Sequence, residues 1–399
     1  MLERKALTMI EATTGSSMID DAYGAGRDAA QAAISKLSRS PDMLWVFAAI
    51  RYDQQTLLNG IVSVAGGAPV IGCTTDGEIS TTGFSLNSVV VLAWASDNIR
   101  LHTAKVEQIS KDSHGAGMTL AEKFQTLNSP YIQIFCDGLG GNADQVLQGI
   151  KTRLGDHIKI AGGTAGDGAM FKQTYQYYNE RVLSDSLVGV AFEGDFHFAT
   201  GVGCGWFPVG LTKEVTKAVG NVVYELDGQP ALEVYKKFLG KHARYLPAVG
   251  VEYPLGVMGR YGDIEDTSYF LCRATMGVDP QAGSITFAGD VPQGAKVKMT
   301  MGNEADIIGA VEKATQSALN ELQYNNPAVK PKAAFLYSCM ARRIVLGSKT
   351  GEEVLAIQKI IGSDVPIIGF YTYGEYAPID KHGHSYFHNE TATLTIIGE

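Results

Sequence analysis

The segment Tyr337-Ser338-Cys339-Met340-Ala341-Arg342-Arg343 sets a thiol, two hydroxyls and two guanidinium groups directly after an apolar run. A cationic neighbour shifts a thiol toward thiolate, and an arginine fork matches a carboxylate. With Tyr373, Gly374, Glu375 and Asn389 from the stretches that follow, Cys339 and Arg342 make a candidate site for a small anion or an amino acid. The competing reading packs Cys339 as a small buried hydrophobe and pairs Arg342 with Glu375. Nucleophilic catalysis has little to stand on. Neither a Gly-x-Ser-x-Gly elbow nor a His-Glu-x-x-His pair occurs, and Cys73 or Cys339 with His388 is a pairing that chance supplies among five cysteines and eight histidines. No catalytic residue is assigned, and a thiol-dependent enzyme stands as a lesser alternative.

Histidines offer two further chemistries. His382, His384 and His388 fall within seven residues, a spacing that a loop could fold round zinc or nickel, with solvated loop side chains as the plainer reading. Haem needs a single axial His in apolar surroundings. His242, in Phe238-Leu-Gly-Lys241-His242-Ala-Arg244-Tyr-Leu246, is the preferred iron ligand, with Lys241 and Arg244 placed for the propionates. The glycine-rich Gly138-Leu-Gly140-Gly141-Asn142 lacks both the Lys-Ser/Thr of a P-loop and the spacing of a dinucleotide fingerprint.

The elements that would carry these residues show an internal echo. Pro69-Val-Ile-Gly72-Cys-Thr-Thr75-Asp-Gly77-Glu78 repeats as Pro366-Ile-Ile-Gly369-Phe-Tyr-Thr372-Tyr373-Gly374-Glu375, and a weaker copy runs from Ile160 to Asp167. Each reads as a short apolar strand running into a Gly-bearing loop. Around them the pattern predicts helices over 21–37, 53–64, 113–127, 230–239, 304–322 and 352–361, and strands over 44–50, 69–73, 87–95, 99–106, 131–136, 333–337 and 391–397. An antiparallel meander is expected from 173 to 224. The fold class that follows is mixed α/β (α+β), with two related domains whose mixed or antiparallel sheets are covered by helices.

Composition narrows the function. A length of 399 residues suggests two or three domains, and 45% hydrophobic residues suffice for large cores. A net charge of −9 without basic runs disfavours nucleic acid as a partner. The scattered cysteines read as reduced thiols, and the longest apolar run is too short to span a bilayer, so a cytoplasmic protein with no membrane partner is expected.

Several separated motifs together resemble the FIST domains. Phe135-Cys136-Asp137-Gly138-Leu139, Ile160-Ala-Gly162-Gly163 with Asp167, Gly205-Trp206-Phe-Pro208-Val-Gly210, and Val223-Tyr-Glu225-Leu-Asp227-Gly228-x-Pro230-Ala231 resemble the FIST N-terminal domain, placed at 30–228. Ser338-Cys339-x-x-Arg342, the 366–375 echo and His388-Asn389-x-Thr391 resemble the FIST C-terminal domain, placed at 229–399. The resemblance implies a sensory ligand-binding protein of prokaryotic signal transduction that is not an enzyme and acts through a partner such as a histidine kinase, with a homo-oligomer left open. Stand-alone members of this length are similar to nitric-oxide-sensing haemoproteins of the NosP type, which implies haem b as cofactor and a two-component partner. The alternative is a non-haem sensor of an amino acid or another small polar metabolite.

Overall fold

Met43–Ala49 is buried at every position, as a strand covered on both faces must be. It is one of three such strands that organise the molecule. The computed structural model describes residues 10–258, 269–379 and 383–399. The first unit contains β1 (Ile10–Ser17), α1 (Ala22–Ile34), β2 (Met43–Ala49), α2 (Gln54–Val62), β3 (Val70–Thr75), the hairpin β4 (Glu78–Ser80) and β5 (Gly83–Ser85), and β6 (Val89–Ser96). A second follows in the same order: β7 (Ile99–Glu107), α3 (Ser113–Phe124), β8 (Tyr131–Cys136), α4 (Ala143–Leu154), β9 (Lys159–Thr164), the hairpin β10 (Gln176–Tyr178) and β11 (Arg181–Leu183), and β12 (Ser186–Gly194).

The third unit opens with β13 (His197–Gly203) and is then interrupted by an inserted sheet. That insertion holds β14 (Trp206–Val219), β15 (Val222–Leu226), β16 (Gln229–Pro230), α5 (Ala231–Leu239), β17 (Leu255–Met258), β18 (Phe270–Arg273), β19 (Thr275–Asp279), β20 (Ser284–Phe287) and β21 (Lys296–Gly302). The unit resumes with α6 (Glu304–Gln323), β22 (Pro331–Cys339), α7 (Met340–Leu346), α8 (Glu352–Ile361), β23 (Ile367–Thr372), the hairpin β24 (Glu375–Pro378) and β25 (Ser385–His388), and β26 (Ala392–Gly398).

In each unit two inner strands run parallel and the last strand returns antiparallel beside them. The hairpin then leaves its own sheet. β4–β5 extends the third sheet beyond β23, β10–β11 extends the first beyond β3, and β24–β25 extends the second beyond β9. The three exchanges close a ring. Its inner faces share one core, while α1 with α2, α3 with α4, and α6 with α8 cover the outer faces. Phe47, Phe135 and Tyr337, equivalent residues of β2, β8 and β22, meet on the central axis with ring centroids 5.3, 5.7 and 6.3 Å apart. One step along, Trp45 donates its indole N–H to Gln133 Oε1 at 2.8 Å, which satisfies both groups inside the core.

The repeated glycine has a steric cause. Gly72, Gly162 and Gly369 lie opposite Val46, Ile134 and Leu336 on the parallel neighbour strand. A Cβ at these positions would stand 1.7, 2.0 and 1.7 Å from that neighbour's carbonyl oxygen.

The mixed α/β class and the helix-covered mixed sheets stand as expected. The meander over 173–224 does not. β10 joins the first sheet, β12 the second, β13 the third and β14 the inserted one, because their main pairings are with strands distant in the chain, β3, β7 and β8, β26, and β21. β1 and α4 were not anticipated: β1 is half-polar along one face, and α4 follows a glycine-rich stretch that reads as loop.

Candidate functional site

β2, β8 and β22 all point their C-terminal ends toward the same end of the axis. The loops Thr75-Asp76-Gly77, Ala165-Gly166-Asp167 and Thr372-Tyr373-Gly374 converge there, and three hairpins begin beside them. Glu78, Gln176 and Glu375 hold equivalent places at the first position of each hairpin, opposite Phe370, Cys73 and Gly163. Glu78 accepts from Thr75 Oγ1 and from Ser88 N and Oγ at 2.9 and 2.8 Å. Glu375 accepts likewise from Thr372 Oγ1 and from Thr391 N and Oγ1 at 3.3 and 2.8 Å. In the second unit Ala165 stands where the others have Thr, and the residue is Gln176, whose buried amide makes no bond among the described residues. A neutral amide is the less costly group to leave undonated there. Burial raises Glu78 to about 7 and Glu375 to about 8.

Asp167 ties its loop into a knot. Its carboxylate accepts from the backbone N–H of Met170, Phe171, Lys172 and Gln173 and from the Tyr373 hydroxyl. Burial pushes its carboxyl up, but these donors outweigh burial and hold it below the usual range. The Tyr373 ring stacks on Phe171 at 4.7 Å and 11°. Asp76 is 1% exposed, accepts from the Ala169 N–H with Oδ1, and leaves Oδ2 without a partner. Burial raises it to about 7, offset in part by that N–H and by the Arg343 charge. Arg343 in turn keeps a buried Nε with no partner.

Beside Tyr373 lies a cavity of about 290 Å³ between the core and the inserted sheet. Gly138, Asn142, Thr164, Tyr373 and Phe387 wall it from the core, and Met276 and Phe287 from the insertion. Its volume is at the small end of ligand pockets, suited to a metabolite. Asn389, completely buried with neither amide atom bonded, sits behind this wall: a Cβ on Gly374 would lie 2.2 Å from Phe387 and 3.2 Å from Asn389 Nδ2. The insertion is held to α4 at the rim, where Arg273 pairs with Asp144 at 3.4 Å and Asn142 donates to Asp290 at 3.0 Å.

The structure divides the expected site residues. Tyr373 lines the cavity, with Gly374 and the buried Asn389 behind it. Glu375 is buried beside them, satisfied by threonines and not by Arg342. Arg342 itself is fully buried and saturated: it bonds Glu353 Oε1 through Nε at 2.9 Å and Nη2 at 2.8 Å, and donates to the carbonyls of Gly203, Cys204, Ile307 and Glu390. It is a structural ion pair rather than a free fork. Cys339 is buried, and burial with the Glu375 and Glu390 charges pushes its thiol well up, the reverse of activation. Cys73 is raised in the same way.

His242, Lys241 and Arg244 are exposed on a short 3-10 turn, where Arg244 donates to Tyr245 OH. His242 is exposed rather than set in an apolar pocket formed by the described residues, and these residues as placed do not fit a haem. His388 is buried on β25 and donates Nε2–H to the Ala377 carbonyl at 2.9 Å, with its imidazolium form disfavoured by burial. His382 lies outside the described residues, and no metal-holding group of His, Cys, Asp or Glu occurs among the described ones. Sequence reasoning gives Asp76 and Glu390 no role and does not separate Arg343 from Arg342; Asp76 carries a signal as the polar residue inside the echoed loop.

The arrangement places a cavity between the core loops and the inserted sheet. Residues 42–229 match the FIST N domain and 231–378 the FIST C domain, and the chain belongs to the FIST family. FIST domains are sensory-type domains. An uncharacterised protein of Mycobacterium tuberculosis is 25% identical over 96% of this chain and 98% of its own. Another, from Methanocaldococcus jannaschii, is 26% identical over 83% and 68%. Among solved structures, cyanuric acid hydrolase from A. caulinodans aligns over 98% of this chain and 99% of its own, at 9% identity and a TM-score of 0.37. T. maritima PurL complexed with AMPPCP aligns over 98% and 73% at a TM-score of 0.22. The expectation that the chain is no enzyme does not stand as made, an enzyme being among the solved structures it aligns with. At that score the likeness says nothing of which reaction, and none is carried over. Among the described residues no helix is long and apolar enough to cross a membrane.

Proposed function

We propose that this FIST protein senses an amino acid or a similarly small polar metabolite held in the cavity between the core loops and the inserted sheet. The observation that carries this reading is the 290 Å³ cavity walled by both FIST domains, with the unbonded Asn389 amide directly behind its wall. An orphaned buried amide costs free energy unless a ligand or water completes it. A ligand that offers both donor and acceptor groups answers Thr164 and the tyrosine edge, and a small shift of the wall would open the Asn389 amide to it. Because the cavity has one wall on each lobe, a bound ligand favours one setting of the insertion over another, and it alters output only by that difference in affinity. A separate signalling protein such as a histidine kinase would read the setting.

The exposure of His242 gives no support to haem b and nitric oxide as cofactor and signal. The test is thermal stabilisation of the full chain by the proteinogenic amino acids, with Tyr373→Ala, Asn389→Ala and His242→Ala beside the wild type. Stabilisation by one chemical class, lost in the first two variants and kept in the third, is expected. Stabilisation that survives Tyr373→Ala and Asn389→Ala, or a Soret band that disappears with His242→Ala, overturns the reading.

A further inference from the structure

Cys204 and Cys272 are 68 residues apart in the chain, yet their sulfurs stand 3.5 Å from each other. Cys204 occupies the turn where β13 of the core passes into β14 of the insertion, and Cys272 lies on β18 of the insertion. Cys272 is buried, whereas Cys204 is only half-buried. The Cys272 thiol beside it favours a thiolate at Cys204 most, against the effect of burial, and the Trp206 backbone N–H and the Arg342 guanidinium, which bonds the Cys204 carbonyl, add to this. The remaining cysteines, Cys73, Cys136 and Cys339, are buried inside β3, β8 and β22.

We propose that Cys204 and Cys272 are a modification site, a dithiol that a hydroperoxide converts reversibly into a disulfide across the junction of core and insertion. The Cys204 thiolate attacks the terminal peroxide oxygen, the O–O bond breaks and hydroxide or alkoxide leaves, giving a sulfenic acid. The Cys272 sulfur then attacks the Cys204 sulfur and expels the sulfenic hydroxyl as water, with the thiol proton going to the leaving oxygen. Two thiols are oxidised and one peroxide is reduced. The sulfurs must close from 3.5 Å to a bond of about 2.05 Å, a movement within reach of side-chain rotation. The link reaches the ligand region through one residue. Arg342 holds the Cys204 and Glu390 carbonyls at once, and Glu390 follows Asn389 directly.

The experiment exposes the reduced full-length protein to hydrogen peroxide and follows it by free-thiol count, non-reducing electrophoresis and peptide mass spectrometry. The expected result is loss of two of the five thiols, a monomeric species carrying a Cys204–Cys272 cross-linked peptide, and recovery with dithiothreitol. In Cys272→Ala a dimedone adduct should accumulate at Cys204. Cross-links between chains, oxidation at Cys73, Cys136 or Cys339 ahead of Cys204, or five intact thiols after treatment each overturn the proposal. The wild-type mass measurement decides it even where a variant fails to fold.

Discussion

Arg342 and Arg343 are sequence neighbours that the structure sends to opposite tasks, and replacing each by Met separates them. Arg342→Met removes two bonds to Glu353 at 2.9 and 2.8 Å and four to carbonyls, all in a region closed to water. Glu353 would keep only Ser338 Oγ at 3.1 Å and the Tyr371 hydroxyl. Breaking one side of a buried ion pair costs about 3 to 5 kcal/mol, since the partner charge stays desolvated. An unfolding entropy of about 2.1 cal/mol/K per residue, taken over the 399 residues, gives about 0.84 kcal/mol/K, so the melting temperature should fall by about 4 to 6 °C. Arg343→Met removes no side-chain hydrogen bond among the described residues and should move the melting temperature by less than about 1 °C, within the range of surface changes. Its effect should fall on Asp76, which loses a nearby positive charge and titrates higher. Scanning calorimetry of the two variants decides the matter. A large loss for Arg343→Met with an unchanged Arg342→Met would refute the assignment of the buried pair.

Further outcomes follow from the same geometry. Glu78 and Glu375 titrate in the native protein at about 7 and about 8 against an ordinary 4.5, so the folded state holds more protons than the unfolded chain in that interval. Their contribution is complete below about pH 4.5 and is lost as pH rises toward 8, at up to about 1.4 kcal/mol per pH unit for each group. Glu375→Gln should flatten the stability profile over this range, and an unaltered slope in urea titrations would count against the buried neutral acid. His388 works in the other direction: its native value of about 4 lies below 6.5, so its contribution is present above pH 6.5 and is lost on acidification toward 4. Replacing it with Gln should shallow that acid limb. Gly369→Ala forces a Cβ to 1.7 Å from the Leu336 carbonyl and should leave no soluble folded protein on expression, whereas Gly309→Ala, where a Cβ meets nothing within 4 Å, should be neutral or stabilising by up to about 1 kcal/mol.

Much of this protein is local and therefore legible in the chain. Predominantly apolar strands such as Met43–Ala49 and Tyr131–Cys136, amphipathic helices such as Glu304–Gln323, and the Pro-x-x-Gly to Gly-Glu echo all follow from short-range pattern. Tyr373, Gly374 and Asn389, proposed here for the ligand site, lie in and after that echo. The second copy was faint because Ala165 and Gln176 replace the Thr and Glu of the other two, and because an extra loop, knotted by Asp167, separates strand from hairpin.

What the chain could not show is which surfaces meet. The exchange of hairpins between units, the scattering of β10 to β14 over four sheets, and the cavity under the inserted sheet depend on contacts among residues far apart in sequence. The same holds for the arginines. One position of helical rotation turns Arg342 inward to Glu353 and Arg343 toward Asp76, and composition and spacing treat the two alike. Residue type announces that a charge must be answered, and only the assembled fold chooses the partner, because burial and distance set the energy of a charge.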